Sequence, residues 1–147
     1  MAPEFGGIER RLDELIVRLQ RLAPLSERPR PDFDADPYLR DIVERNLEVA
    51  AQCVVDISNR IISLEGTRKP RDNYEAILLL AETGVLPPEF ARKLAPITGL
   101  RNVLVHEYLA LDWNQIYKRL QDTDDLLRFA GYVRAWLLKA DQATGRD

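Results

Sequence analysis

The chain has 147 residues, of which 46% are hydrophobic and 31% charged, and its formal net charge is −3. That balance fits one folded domain with a real core and excludes a disordered chain. The acidic total, with a pI of about 5.3, argues against holding a nucleic-acid duplex by bulk charge, yet leaves room for a small local basic site.

No apolar run approaches the roughly 20 residues that a membrane span needs, so no membrane role is expected. Met1 to Gly7 read as a cloning remnant rather than a targeting signal. Cys53 is the single cysteine and has no internal partner for a disulfide. Nothing ties the chain to an oxidising compartment, and a cytoplasmic location is expected.

Helical spacing recurs in every long segment, and no strand-like alternation competes with it. A first helix is expected from Gly7 to Leu22, with Leu12, Leu15, Leu19 and Leu22 on one face. Pro24, Pro29 and Pro31 should then impose an extended, charged linker. Residues 1–35 thus read as an N-terminal helix and linker, and residues 36–141 as the main helical bundle.

Asp36-Pro37 suits the start of a second helix, because Asp can cap and Pro fits the first helical position. This helix should reach Leu64 before Gly66 ends it. Val43, Leu47, Ala50, Val54, Ile57, Ile61 and Leu64 form a heptad seam for bundle packing. Beside the seam runs a more polar stripe: Asn46, Val49, Gln52 or Cys53, Asp56, Asn59 and Ser63. Either that stripe is solvated, or it lines a surface shared with another helix or chain.

A third helix should open at Arg71 or Asp72 and end at Gly84. A fourth is expected from Pro88 towards His106, bent at Pro96, and a fifth from Asp112-Trp113 to about Ala140. On the fifth, Trp113, Ile116, Leu120, Leu127, Ala130 and Leu137 should share one side. The expected fold is all-α, an up-and-down bundle of about five helices with short connections. Between Arg60 and Arg101, seven Lys/Arg face five Asp/Glu, an excess that an ordinary solvated surface would also carry.

Chemistry concentrates at Arg101-Asn102-Val103-Leu104-Val105-His106-Glu107-Tyr108, which holds the chain's only histidine. A guanidinium can donate two hydrogen bonds to phosphate oxygens. An imidazole titrates close to working pH and suits proton transfer. Together they read as a site for cutting a phosphodiester, and no His/Cys cluster or close carboxylate set suggests a metal or other cofactor. Asn102 and His106 lie four apart and share a helix face, whereas Arg101 and His106 stand about 140° apart on an ideal helix. A site using both needs the helix to end near His106, or a groove that both flanks reach. The bland alternative makes His106 a helix-end residue, pairs Arg101 with Glu107 or Glu82, and buries Tyr108.

At this octet the sequence resembles the HEPN superfamily, and Arg101, Asn102, His106 and Tyr108 match the motif of its HepT-like toxins. The resemblance covers Tyr38 to Leu138, including Asp56-Ile57 and the run from Glu75 to Pro87. It implies a homodimer with the active groove at the subunit interface, in which Arg101 binds the scissile phosphate and His106 serves as base and acid. It also implies an RNA substrate, cut by 2′-hydroxyl attack without metal. A nucleotidyltransferase antitoxin is implied as partner, silencing the toxin by AMP transfer to Tyr108. Asp56 and Asn59 are candidates for supporting the Arg-His pair, beside the plainer reading of solvated polar residues. Two other functions stay open: a non-catalytic docking partner of a nucleotidyltransferase, and a purely structural dimerisation domain.

Overall fold

The computed structural model describes residues 3–143, with Pro3 and Tyr108 described by backbone alone. Every regular element among them is helical. The first, α1 (Gly6–Ser26), buries Ile8, Leu12, Leu15, Leu19 and Leu22 along one face. It runs through Pro24, past the limit expected from the proline. In the last turn a missing N–H removes only one ladder bond, and the ring's constraint falls where the helix is about to end.

The linker expected after α1 is correspondingly short. A second helix, α2 (Arg30–Ala35), takes Pro31 in its first turn, where no intrahelical N–H is needed. Phe33 anchors it, fully buried, with ring centroids 5.5 Å from Trp113 and 5.7 Å from Tyr117. Phe33 and the buried face of α1 belong to the same apolar cluster as the rest of the bundle.

The spine is α3 (Pro37–Glu65), which begins and ends where its sequence signals place it. The Asp36 carboxylate accepts the Tyr38 backbone N–H at 2.9 Å, capping an otherwise unpaired donor. Gly66 closes the helix at φ 70°, the left-handed region in which a residue with Cβ is strained. Val43, Leu47, Ala50, Val54, Ile57 and Ile61 are buried as the seam requires, and Leu64 packs against the cluster from its edge.

After α3, α4 (Asn73–Glu82) starts on Asp72, whose carboxylate accepts the Glu75 N–H at 2.8 Å. Glu75 is buried, and its carboxyl is held below the usual carboxylate range. The Arg71 backbone N–H does most of this, and guanidinium contacts from Arg71 and Arg68 add to it against the cost of burial.

Two helices expected as continuous are broken. Residues 88–106 form α5 (Pro88–Leu94) and α6 (Ile97–His106), because Pro96 supplies no N–H to carry the ladder through. The C-terminal segment forms α7 (Trp113–Gln121) and α8 (Asp124–Ala143). Asp122, Thr123 and Asp124 compete with helical bonding through their short polar side chains. The break resets the helical phase, so Leu126, Phe129 and Val133 enter the core, while Leu127, expected inside, is 55% exposed.

The bundle therefore has α3 at its centre, with α1, α4 and α6 packed against it. That arrangement sets α6, which carries the Arg-His motif, beside the polar stripe of α3.

Candidate active site

The motif helix is anchored from below. Ile97 and Leu104 are buried and Leu94 precedes them in the core, so α6 is fixed against α3 by apolar side chains. Its last residue is His106; the following Glu107 N–H still bonds the Val103 carbonyl, but the backbone then leaves the helix. A short 3-10 turn (Tyr108–Ala110) follows. His106 is exposed and makes no hydrogen bond or ion pair among the described residues. Its imidazole is available to a substrate.

Arg101 is half-buried and tied on two sides. Its Nε–H donates to the Gln52 side-chain carbonyl at 2.7 Å, and an Nη1–H donates to Asn102 Oδ1 at 3.0 Å. A guanidinium has five N–H groups, so the Nη2 amine and one Nη1 hydrogen stay available. Neither expected surface pairing forms: Glu82 faces Arg68, and Glu107 makes no ion pair with Arg101. Asn102 is turned to Arg101, and no hydrogen bond joins it to His106.

Gln52 extends this arrangement into α3. Its Nε2–H donates to Asp56 Oδ1 at 2.8 Å, and the other Asp56 oxygen accepts the Arg11 Nε–H at 3.5 Å. One line of polar contacts thus runs Asn102–Arg101–Gln52–Asp56–Arg11 across α6, α3 and α1. Asp56 touches Arg101 only through Gln52. Asn59 faces elsewhere, with its Nδ2 donating to the Val55 carbonyl at 3.0 Å and to Asn73 Oδ1 at 3.2 Å. The Tyr108 side chain lies outside what is described.

Beneath this line sits Cys53, buried, with its thiol pushed up to about 11. Burial is the main cause, and the Glu14 and Asp56 carboxylates add to it. A protonated, buried thiol is neither nucleophile nor metal ligand. Among the described residues no group of three or more His, Cys, Asp or Glu could hold a metal ion.

Two residues of the line were not among the candidate site residues read from the sequence. Gln52 was legible as a member of the polar stripe, four residues before Asp56 and one helical turn away, but its partner on α6 was not. Arg11 carried no signal, because only the packing of α1 on α3 brings it to Asp56.

The chain matches the family described as ribonuclease HepT-like over residues 12–133. It belongs to the ribonuclease HepT-like family. Among curated relatives of this HepT-like chain, the tRNA nuclease HepT of Aphanizomenon flos-aquae is 34% identical over 127 residues, covering 86% of this chain and 85% of that protein. The mRNA nuclease HepT of Shewanella oneidensis is 27% identical over 104 residues, covering 70% of this chain and 78% of that one. Among solved structures, the tri-AMPylated HEPN toxin of Shewanella oneidensis in complex with its MNT antitoxin superposes with a TM-score of 0.78 at 23% identity, covering 92% of this chain and 99% of that one. The Bacillus subtilis protein YutE gives a TM-score of 0.76 at 20% identity, over 91% of this chain and 90% of that one. At those identities the structural likeness speaks for the fold, and the HepT-like fold is what α1 to α8 build. The family match begins within α1, ahead of the stretch whose sequence resemblance was legible.

Proposed function

We propose that this HepT-like chain is the toxin of a toxin–antitoxin pair, a metal-independent endoribonuclease acting as a homodimer. The observation that carries this is the posture of Arg101, whose Nε and Nη1 are fixed by Gln52 and Asn102 while its remaining N–H groups stay open. An arginine held by neutral acceptors keeps its full charge for an incoming anion, and an exposed imidazole ends the same helix.

In the reaction, His106 of one subunit takes the proton from a ribose 2′-hydroxyl. The 2′-oxygen attacks the adjacent phosphorus, and the bond from phosphorus to the 5′-oxygen breaks. His106 of the other subunit returns a proton to that leaving oxygen. The products are a 2′,3′-cyclic phosphate and a 5′-hydroxyl. One histidine per chain can supply both base and acid only if a two-fold axis brings two copies to one groove. Arg101 of each chain stabilises the charge that grows on the phosphate oxygens.

Regulation falls to Tyr108. A nucleotidyltransferase antitoxin would let the Tyr108 hydroxyl attack the α-phosphate of ATP, releasing pyrophosphate and leaving AMP on the tyrosine. The added negative charge two residues from His106 would repel an RNA phosphate. The Shewanella oneidensis HEPN toxin, tri-AMPylated and in complex with its MNT antitoxin, supports this reading.

The test is RNA cleavage by the purified chain in EDTA, with analysis of the product ends. His106→Ala should lower the rate by roughly 10²–10⁴-fold, the usual worth of general acid–base catalysis. The fold should be unaffected, since the side chain is exposed. An active His106→Ala protein would remove the mechanism.

A further inference from the structure

Next to the polar line described above, the surface is grooved. A depression of about 550 Å³ is lined by Arg10, Arg11, Asp56, Asn59, Arg60 and Ser63 among others. A second, of about 370 Å³, shares Asn59 and Ser63 and continues to Lys69 in the loop after α3. Sharing two lining residues, the two form one trough along the polar stripe of α3, from the first turns of α1 to Pro70 in the loop after α3.

Its charge runs against that of the molecule. The net charge of the chain is −3, yet the trough carries four cations (Arg10, Arg11, Arg60 and Lys69) against two carboxylates, Glu4 and Asp56. Asp56 is already engaged by Gln52 and Arg11. Arg10, Arg60 and Lys69 are exposed and make no hydrogen bond or ion pair among the described residues. A cleft lined mainly by one sign of charge focuses its field and raises the local concentration of an oppositely charged ligand.

Asp56 belongs both to this trough and to the contact line that ends at Arg101. Only the Gln52 side chain separates the trough's Asp56 from Arg101, which sets the trough beside the proposed cleavage site. We propose that it holds the phosphodiester backbone of the RNA strand beside the cut, with Arg10, Arg60 and Lys69 as phosphate contacts. Asn59 and Ser63 on the floor offer neutral polar groups to sugar or phosphate oxygens. Contacts to the backbone fix where the strand lies without reading its bases. The inference rests on the ribonuclease reading above.

The experiment measures binding of a single-stranded RNA oligonucleotide with 2′-methoxy groups, which lacks the attacking hydroxyl, by fluorescence anisotropy at several salt concentrations. The full chain is compared with the triple variant Arg10→Gln/Arg60→Gln/Lys69→Gln and with a control, Arg92→Gln/Lys118→Gln. Single strands lose roughly 0.7 in the slope of log K against log salt for each phosphate contact. The triple variant should therefore lose about two in slope and about ten-fold in affinity, with the control unchanged. An unchanged slope overturns the proposal, whatever happens to affinity. If the unaltered chain fails to cut the 2′-hydroxyl counterpart while the triple variant still loses salt slope, the ribonuclease reading falls and the trough remains only as a site for an RNA backbone. If it cleaves RNA but the triple variant binds as tightly as it does, only the trough falls.

Discussion

Arg101 on α6 donates its Nε–H to the Gln52 side chain on α3 at 2.7 Å, which ties the guanidinium proposed to bind phosphate to the central helix. Removing that acceptor should let the guanidinium swing. Gln52→Leu is expected to lower kcat for RNA cleavage by about 10²-fold, the effect of a misplacement of about 1 Å at a reacting centre. Asp56→Asn, which can still accept from Gln52, should cost far less than Asp56→Leu. Circular dichroism would establish that all three fold, and equal kcat values across the series would refute a positioning role for Gln52.

At the other end of the motif, Tyr108→Phe should remain an active nuclease and escape silencing. Incubated with the nucleotidyltransferase and ATP, the unaltered chain should gain AMP by intact-mass spectrometry and the variant should not. A mass gain that persists in Tyr108→Phe would place the modification on another residue.

Cys53 offers a pH readout. Burial pushes its thiol up from the ordinary 9.0 to about 11 in the folded chain, favouring the neutral form. The unfolded chain ionises first as pH rises. Stability from this group is therefore complete below about 9 and lost between about 9 and 11. Denaturation midpoints measured across that window should fall more steeply for the unaltered protein than for Cys53→Ala. Iodoacetamide should label the thiol only after unfolding. Parallel pH curves for the two proteins would show that the thiol contributes nothing.

Phe33 tests whether the segment after α1 is a docked element. The ring is fully buried between Trp113 and Tyr117, so Phe33→Ala should destabilise the chain by about 3–5 kcal/mol. A loose linker would lose almost nothing. Urea denaturation distinguishes the two outcomes.

Local chemistry explains which parts of the fold were legible in advance. Asp36-Pro37 and Gly66 bound α3 because capping and left-handed backbone depend on residues within one turn. The buried seam of α3 follows from spacing alone, and so does the burial of Leu12, Leu15, Leu19 and Leu22 on α1. The motif helix ends at His106, as one of the two arrangements expected for a site using both Arg101 and His106 required. By contrast, the split between α7 and α8 turned on a contest between helix propagation and short polar side chains at Asp122 to Asp124. There Leu126 took the buried place expected of Leu127, while Ala130 and Leu137 kept theirs.

The amino-acid order by itself determined that this is an all-helical chain with an Arg-His-Tyr motif on α6 and the turn that follows it, since periodicity and motif spacing are properties of neighbouring residues. Only the tertiary structure decided what holds that cluster. Gln52 lies 49 residues from Arg101 and Arg11 lies 45 from Asp56, and contacts across such separations exist only once apolar faces have packed α1 and α6 onto α3. Hydrophobic burial sets those helix positions without regard to the polar groups carried along. The polar line is thus a consequence of packing that no local pattern encodes.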